Sequence, residues 1–553
     1  VLGAAMVLYA AFVLWATRGT TLFVDEQTLF QTDRGLHPSV LFAPVNGHLI
    51  LWERLLYAVD FKLFGASFVL PRVVEAAGVL AVVATFFVAV KRRIGSAAAL
   101  APALLLLLFG TAWENDLAIS GISTVYAVAA GLIALLVLEA PEPVAEGGIG
   151  ARRSWTRDGV ACVLLIIAVY SWTVGVAFAL GALVLILLQP GPLRRAWIAV
   201  VPLMLYAAWL LWVRVEYVPA HGEVDSLAAS NILLIPNYIA NEGSSVMGAL
   251  AGLNYGFQPQ YLSVFSTTSE YGPVLAIAVV ALVVVSIRRG SRRPPLWGFI
   301  CTLLAFWVAL ALVFGQGRDP TVARYVYAGG ILVMLIIAEA VNGVRLSLIK
   351  LGVLYAVTAL AIAANLARLR DGEHFYRSFG TTLRAQLTGL EIARDHVSPA
   401  FRLSPPPSLE VIQAGPYLSA VSRIGSPAYS QTQLMGEPEA LRHAADATLV
   451  SALGLALSSS GGEPVGACRR VTEAADAPST VLVEPPGIAL RSATVGQVGL
   501  RRFASTATVP VGNLAAGQTV DLRIPADRSS LPWHASVDPP SSSVTVCPLL
   551  GTG

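Results

Sequence analysis

Apolar runs of about 20 residues, the length an α-helix needs to cross bilayer hydrocarbon, recur about eleven times in the first two thirds of this chain. They lie at 1–17, 68–90, 96–112, 119–138, 159–171, 174–189, 196–213, 273–287, 297–314, 328–342 and 349–366. Of the 553 residues, 56% are hydrophobic and only 13% are charged, against about 25% charged in an ordinary soluble domain. Mean hydropathy is +0.68. A water-soluble enzyme is thereby excluded, and the chain reads as a polytopic membrane protein.

Loop charge sets the expected topology. With the amino terminus inside, alternate loops carry Lys91, Arg92 and Arg93; Arg152, Arg153 and Arg157; Arg194 and Arg195; Arg288, Arg289, Arg292 and Arg293; then Arg345 and Lys350. All five satisfy the positive-inside rule if the fifth and sixth runs are a tight re-entrant pair hinged at Ser171, Trp172 and Thr173. The first run, entered already at Val1, is expected to be a retained anchor because no small-residue cleavage site follows it. A multi-pass plasma-membrane protein follows, with a cytoplasmic amino terminus and an extracytoplasmic carboxy-terminal domain. The bias to Arg over Lys, with much Ala, Val and Gly, suggests a high-GC bacterial source. The net charge of +3, spread by topology, implies no nucleic-acid partner.

The fold class expected is an all-α membrane domain of about eleven helices over 1–370, followed by an external α+β domain. That domain divides into a helical region, 371–460, patterned at Phe375 to His396 and Ala440 to Leu457, and a β-rich region, 461–553, read as a small β-sandwich. Turns such as Pro485-Pro486-Gly487 and Pro539-Pro540 punctuate the strands. Cys468 and Cys547 flank this end and could staple it in an oxidising exterior; two unpaired thiols are the alternative. Cys162 and Cys301 lie inside spans and read as small apolar residues.

Three external loops are long enough for chemistry: 18–67, 214–272 and 315–327, joined by the short 113–118. Asp25 and Glu26 follow the first span at interface height. His37-Pro38 and Asn46-Gly47-His48 come next, then Leu49 to Phe64, an amphipathic interfacial helix with Glu53, Arg54, Asp60 and Lys62. The short loop holds Glu114 and Asp116, a pair able to hold a divalent cation or serve as a polar turn. Arg318 and Arg324 face outside against the positive-inside bias, and an external Arg at that depth suits a lipid phosphate, or simply snorkels. Tyr325 and Tyr327 read as interfacial anchors. Within spans, Glu75 is expected to pair with Arg72, and Glu339 to reach water at the cytoplasmic end.

In this order the membrane half resembles the GT-C superfamily of membrane glycosyltransferases: an acidic pair after the first helix, an interfacial helix, a short acidic second loop and a late external Arg-Tyr. The resemblance implies an inverting enzyme that uses a polyprenyl-phosphate-linked sugar and an envelope glycan, lipid or protein acceptor, among membrane lipids. It implies that Asp25, with Glu26, acts as base and that Arg324, with Arg318, Tyr325 and His48, holds the donor phosphate. A monophosphate leaving group needs no metal, but Glu114 and Asp116 leave a divalent cation (Mg or Mn) open. The carboxy-terminal domain lies outside the resemblance. An O-antigen ligase or polymerase would concentrate Arg and His in one late loop, where 214–272 offers Arg214 and His221. A non-catalytic envelope scaffold or lipid-binding protein would have no use for Asp25, and a transporter would need broken helices at mid-membrane.

Overall fold

The computed structural model describes residues 1–32, 35–139, 149–218, 229–253, 270–289, 293–314, 319, 322–344, 346–403, 411–459, 467–471, 480–538 and 544–549, with backbone alone for 149–154, 229 and 323. Arg292, Arg318, Arg345, His221 and the Pro539-Pro540 turn lie outside these. The chain divides into two compact units. The first comprises Val1–Arg18, Phe23–Leu29 and Asp33–Arg377; the second comprises Gly19–Leu22, Phe30–Thr32 and Ser378–Gly553.

Every apolar run is helical in the first unit. Among the described residues, six helices are long and apolar enough to cross a membrane: Val69–Ile94, Ser96–Leu117, Ile119–Glu139, Trp197–Tyr217, Pro294–Leu312 and Leu348–Ile392. Leu2–Ala16, Val174–Leu187 and Gly272–Arg288 are shorter apolar helices. The chain is a multi-pass membrane protein. Helix Ile149–Ser171 stops at the expected hinge and Val174–Leu187 starts two residues on, packed back against it. Gly175 permits that approach, since a Cβ there would lie 2.2 Å from the carbonyl of Ala168.

Three expectations need correction. The segment 214–272 is not all loop: helix Ile235–Ala251 packs against Gly272–Arg288, Pro294–Leu312 and Ala323–Ala340. Its Asn237, Asn241, Glu242, Ser244 and Ser245 lower the window hydropathy below that of a span, yet Glu242, Ser245 and Val246 are buried. Glu339 does not reach water. It is 2% exposed and ion-paired with Arg93, which also bonds Glu139 at 2.8 Å. Tyr325 and Tyr327 are fully buried rather than interfacial, because Tyr325 stacks on Trp172 at 6.2 Å.

The last helix of the first unit, Leu348–Ile392, passes residue 370 unbroken and carries the chain into the second unit. There a short pair, β1 (Arg402–Leu403) and β2 (Ile412–Gln413), precedes helices Ala414–Ile424 and Glu439–Ala452. Among the described residues nine strands follow: β3 Leu457–Ser459, β4 Arg469–Val471, β5 Thr480–Val483, β6 Gly487–Ser492, β7 Gly496–Arg501, β8 Val509–Leu514, β9 Thr519–Arg523, β10 Trp533–Asp538 and β11 Val544–Pro548. They form antiparallel sheets of order β5-β10-β7-β8 and β3-β9-β6-β11-β4. Trp533, Leu500, Leu522 and Leu490 fill the interior. Cys468 and Cys547 are disulfide-bonded, with Cα atoms 4.3 Å apart. Two carboxylates on helix Glu439–Ala452 pin the turn after β7. Asp446 accepts from the N–H groups of Arg502, Phe503 and Ala504, and Glu439 from those of Ser505, Thr506 and Ala507.

Candidate active site

The site is built at the start of helix Asp25–Thr32. Val24, immediately before it, has φ of +44°, a conformation that is strained for a β-branched residue. Strain of this kind persists only where surrounding contacts over-determine it. The two acids that follow have different surroundings. Glu26 is 1% exposed, and its carboxylate accepts from the N–H of Phe23 at 3.1 Å and of Ser120 at 3.2 Å. Burial pushes its carboxyl up to about 8, in spite of those donors. Glu26 is thus tied into the backbone by these two bonds. Asp25 is only half-buried and accepts from Asn46 Nδ2 at 2.5 Å.

Asn46 is aimed by its turn. Val45 and His48 exchange backbone hydrogen bonds at 2.8 and 3.0 Å, while Asn46 and Gly47 sit at φ of +47° and +78°. This is the two-residue hairpin turn that Asn-Gly favours, because both central residues must be left-handed. The positioning role of Asn46 was missed from sequence, although the Asn-Gly pair was the available signal. The same turn positions His48. Its Nδ1 shares a 2.6 Å hydrogen bond with Thr173 Oγ1, and its ring lies 5.4 Å from that of Trp172. His48 thus contacts the hinge, and the hinge tryptophan contacts Tyr325, beside Arg324.

Helix Leu51–Phe64 is amphipathic as expected. Glu53, Arg54 and Asp60 point inward, while Trp52, Val59, Leu63 and Phe64 are exposed, as suits an interface. Asp60 accepts from the N–H of Leu70 at 3.2 Å, near the start of helix Val69–Ile94. Glu53 accepts from Ser123 Oγ, and burial pushes its carboxyl up to about 8, with Asp25 and Glu26 adding to the rise. Glu53 was not singled out for chemistry from sequence, since a charged residue on an amphipathic helix reads as solvated. Glu75 is 1% exposed and lies against Gly121, where a Cβ would come within 2.9 Å of its Oε1.

The second external segment folds as a short helix, Trp113–Leu117, with Glu114, Asn115 and Asp116 all buried. Helix Leu348–Ile392 buttresses it: Asn365 Oδ1 accepts from the N–H and hydroxyl of Thr111 at 3.0 and 2.9 Å, and Trp113 packs edge-on to Phe375. Glu114 Oε1 lies 3.6 Å from Arg324, whereas Asp116 faces the hydroxyl of Tyr9. The two acids therefore diverge. Among the described residues no three His, Cys, Asp or Glu side chains gather as metal ligands.

Arg324 stands at the first turn of helix Ala323–Ala340, about a quarter exposed, and its guanidinium lies 5.2 Å from the Tyr325 ring. Asp25 and Glu114 are both close enough to act on its charge. Asp25, Glu114 and Arg324 thus share one neighbourhood, half open to solvent. Arg318 lies outside the described residues.

No family model matches this chain, nor does any curated protein. Its structure is similar to ArnT from Cupriavidus metallidurans bound to undecaprenyl phosphate, with TM-score 0.45 and 15% identity over 75% of this chain and 84% of that one. It is similar to the archaeal oligosaccharyltransferase AglB from Archaeoglobus fulgidus in complex with an inhibitory peptide and a dolichol-phosphate, with TM-score 0.42 and 13% identity over 77% and 64%. A third similar structure is the arabinosyltransferase EmbB from Mycobacterium smegmatis, with TM-score 0.32 and 12% identity over 99% and 64%.

Proposed function

We propose that this protein is an inverting membrane glycosyltransferase that moves a sugar from a polyprenyl-phosphate donor to an envelope glycan, lipid or protein acceptor. The observation that carries the reading is the meeting of a half-buried carboxylate, Asp25, with a partly exposed membrane-helix arginine, Arg324, in one neighbourhood. The acceptor hydroxyl gives its proton to Asp25 as its oxygen attacks the anomeric carbon, and the bond from that carbon to the phosphate oxygen breaks on the opposite face. Negative charge grows on the leaving phosphate. Arg324 neutralises it with a planar, two-pronged donor set, and Tyr325 holds the arginine through its ring. Glu26, Glu53 and His48 shape the wall around Asp25 and the hinge. No step passes through a metal.

The chemistry is assigned to residues 1–370, with 371–460 and 461–553 as external regions. The cytoplasmic amino terminus and plasma-membrane location rest on the loop arginines. The disulfide between Cys468 and Cys547 suits an oxidising exterior.

The test is reconstitution in nanodiscs with labelled polyprenyl-phosphate sugars and envelope acceptors. Asp25→Asn is expected to lower turnover by about 100-fold or more while donor lipid still binds. Arg324→Ala is expected to weaken both donor binding and catalysis. Wild-type turnover by Asp25→Asn would remove the base, and failure to bind any lipid-linked sugar would favour the scaffold.

A further inference from the structure

The hinge at Ser171, Trp172 and Thr173 takes no part in the steps of sugar transfer, yet it is built to stay in place. The N–H of Trp172 closes helix Ile149–Ser171 on the carbonyl of Ala168 at 3.2 Å, and the carbonyl of Trp172 accepts from the N–H of Gly175 at 2.9 Å, opening helix Val174–Leu187. The carbonyl of Thr173 accepts from the N–H of Val176 at 3.0 Å. Backbone bonds on both sides thus make the junction a fixed corner.

From that corner the Trp172 indole, 7% exposed, lies against the rings of His48, Phe306 and Tyr325. Phe306 of helix Pro294–Leu312 meets it edge-on, with ring centroids 6.1 Å apart and planes at 62°. Tyr325 of helix Ala323–Ala340 is nearly parallel to it, at 6.2 Å and 12°. Both distances fall in the range of about 4.5 to 7 Å over which aromatic rings attract. Tyr325 in turn carries Arg324, whose guanidinium carbon is 5.2 Å from its ring centroid.

Arg324 is 28% exposed, whereas Tyr325 is 2% exposed. A long side chain partly in solvent keeps much of its rotamer freedom, and a ring to lie on removes some of that freedom before a ligand arrives. Such a seat works only if the ring itself is held, and Trp172 holds it by stacking. The corner is tied down in turn, because His48 Nδ1 shares a 2.6 Å hydrogen bond with Thr173 Oγ1. His48 belongs to the turn whose Asn46 donates to Asp25. One turn thus reaches both halves of the proposed site, the base directly and the arginine through Thr173, Trp172 and Tyr325.

We infer that Trp172 is a positioning residue for the donor clamp: held by Thr173 and His48, it fixes the Tyr325 ring on which Arg324 meets the lipid phosphate. The inference rests on the reading of Arg324 as that clamp. It adds a residue that touches neither sugar nor phosphate and acts only through Tyr325.

Titration of a polyprenyl phosphate that carries no sugar into nanodiscs holding the full chain tests this, with binding read apart from turnover. Trp172→Leu should raise the dissociation constant about tenfold, while Trp172→Phe, which keeps a ring against Tyr325, should stay within about threefold of the unaltered protein. Because a buried tryptophan also supports the fold, Thr173→Val is the second variant. It keeps the side-chain shape, removes the hydroxyl that His48 holds, and should raise the dissociation constant about threefold. The deciding comparison uses Arg324→Lys, which keeps a charge for the phosphate but not the flat guanidinium. On that background the penalty of Trp172→Leu should shrink below about threefold, since both changes break one chain of contacts. An undiminished penalty there would mean that Trp172 acts elsewhere and would overturn the inference, as would unchanged binding by both Trp172→Leu and Thr173→Val. If the unaltered protein bound no polyprenyl phosphate, the sugar-transfer reading itself would fall and take this inference with it.

Discussion

Asn46 donates its side-chain amide to Asp25 across 21 residues of sequence, at 2.5 Å, from a turn that only left-handed residues can make. The hydrogen bond fixes where the Asp25 carboxylate points. Asn46→Gly keeps the turn, since glycine accepts positive φ freely, but removes the amide. We expect kcat to fall about tenfold or more, with little change in donor KM, because orientation is lost and binding is not. Steady-state kinetics at saturating donor check this. A rise in KM at constant kcat would place Asn46 in binding instead.

Glu114 competes with any phosphate for Arg324, which lies 3.6 Å away. Glu114→Gln keeps the shape and removes the competing charge. Donor lipid is expected to bind roughly tenfold more tightly, about 1.4 kcal/mol, and turnover to fall as the arginine loses its fixed seat. Titration of labelled donor into nanodiscs reads the sign directly. Weaker binding would mean that Glu114 serves the donor and does not oppose it.

The helices were legible because hydrophobic runs of span length have few alternatives, and all eleven became helices. The hinge at Ser171 to Thr173 was legible from its polar interruption. Helix Ile235–Ala251 was not, because small and polar residues on a protein-facing helix look like loop when averaged over a window. The acids after the first span were visible as candidates, but sequence cannot tell Asp25 from Glu26. Their difference comes from burial: Glu26 is 1% exposed, enclosed in part by Ser120, 94 residues away, while Asp25 is only half-buried. Glu114 and Asp116 likewise looked like a pair, and two residues of spacing on a short helix sends them to different partners.

Glu53 predicts a pH dependence of stability. Burial raises its carboxyl to about 8 from an ordinary 4.5, so the folded protein binds a proton that the unfolded chain releases as pH rises between those values. Folded stability should therefore fall as pH climbs through that window and level off above it, with Glu26 adding to the trend. Glu53→Gln, which stays neutral and can still accept from Ser123, should flatten the slope. Thermal unfolding in detergent from about pH 5 to pH 9 measures it. A Tm that rises over this range in the wild type would contradict the assignment.

Arg93 is the strongest case of a buried charge that holds helices together. It is 6% exposed, bonds Glu339 on one helix and Glu139 on another, and donates to the carbonyl of Ala89 at 2.7 Å on its own. Its guanidinium also lies 5.1 Å from the ring of Phe299, on a fourth helix. Arg93→Met keeps much of the length and apolar stem but takes the bonding cation from two buried carboxylates, leaving Glu339 with the more exposed Arg293 at 3.6 Å. Breaking a buried pair this way costs about 3 to 5 kcal/mol, most of it from the uncompensated charges and not from the lost contact. The same reasoning predicts rescue. Adding Glu139→Gln and Glu339→Gln to Arg93→Met removes the stranded charges, and the triple variant should recover most of the lost stability although it has fewer ionic contacts than the single one. Thermal unfolding of the wild type, single and triple variants in the same detergent tests both halves. If the triple variant were less stable than Arg93→Met alone, the network would be worth more than its desolvation, and the cost of the single change would have to come from lost packing against Phe299.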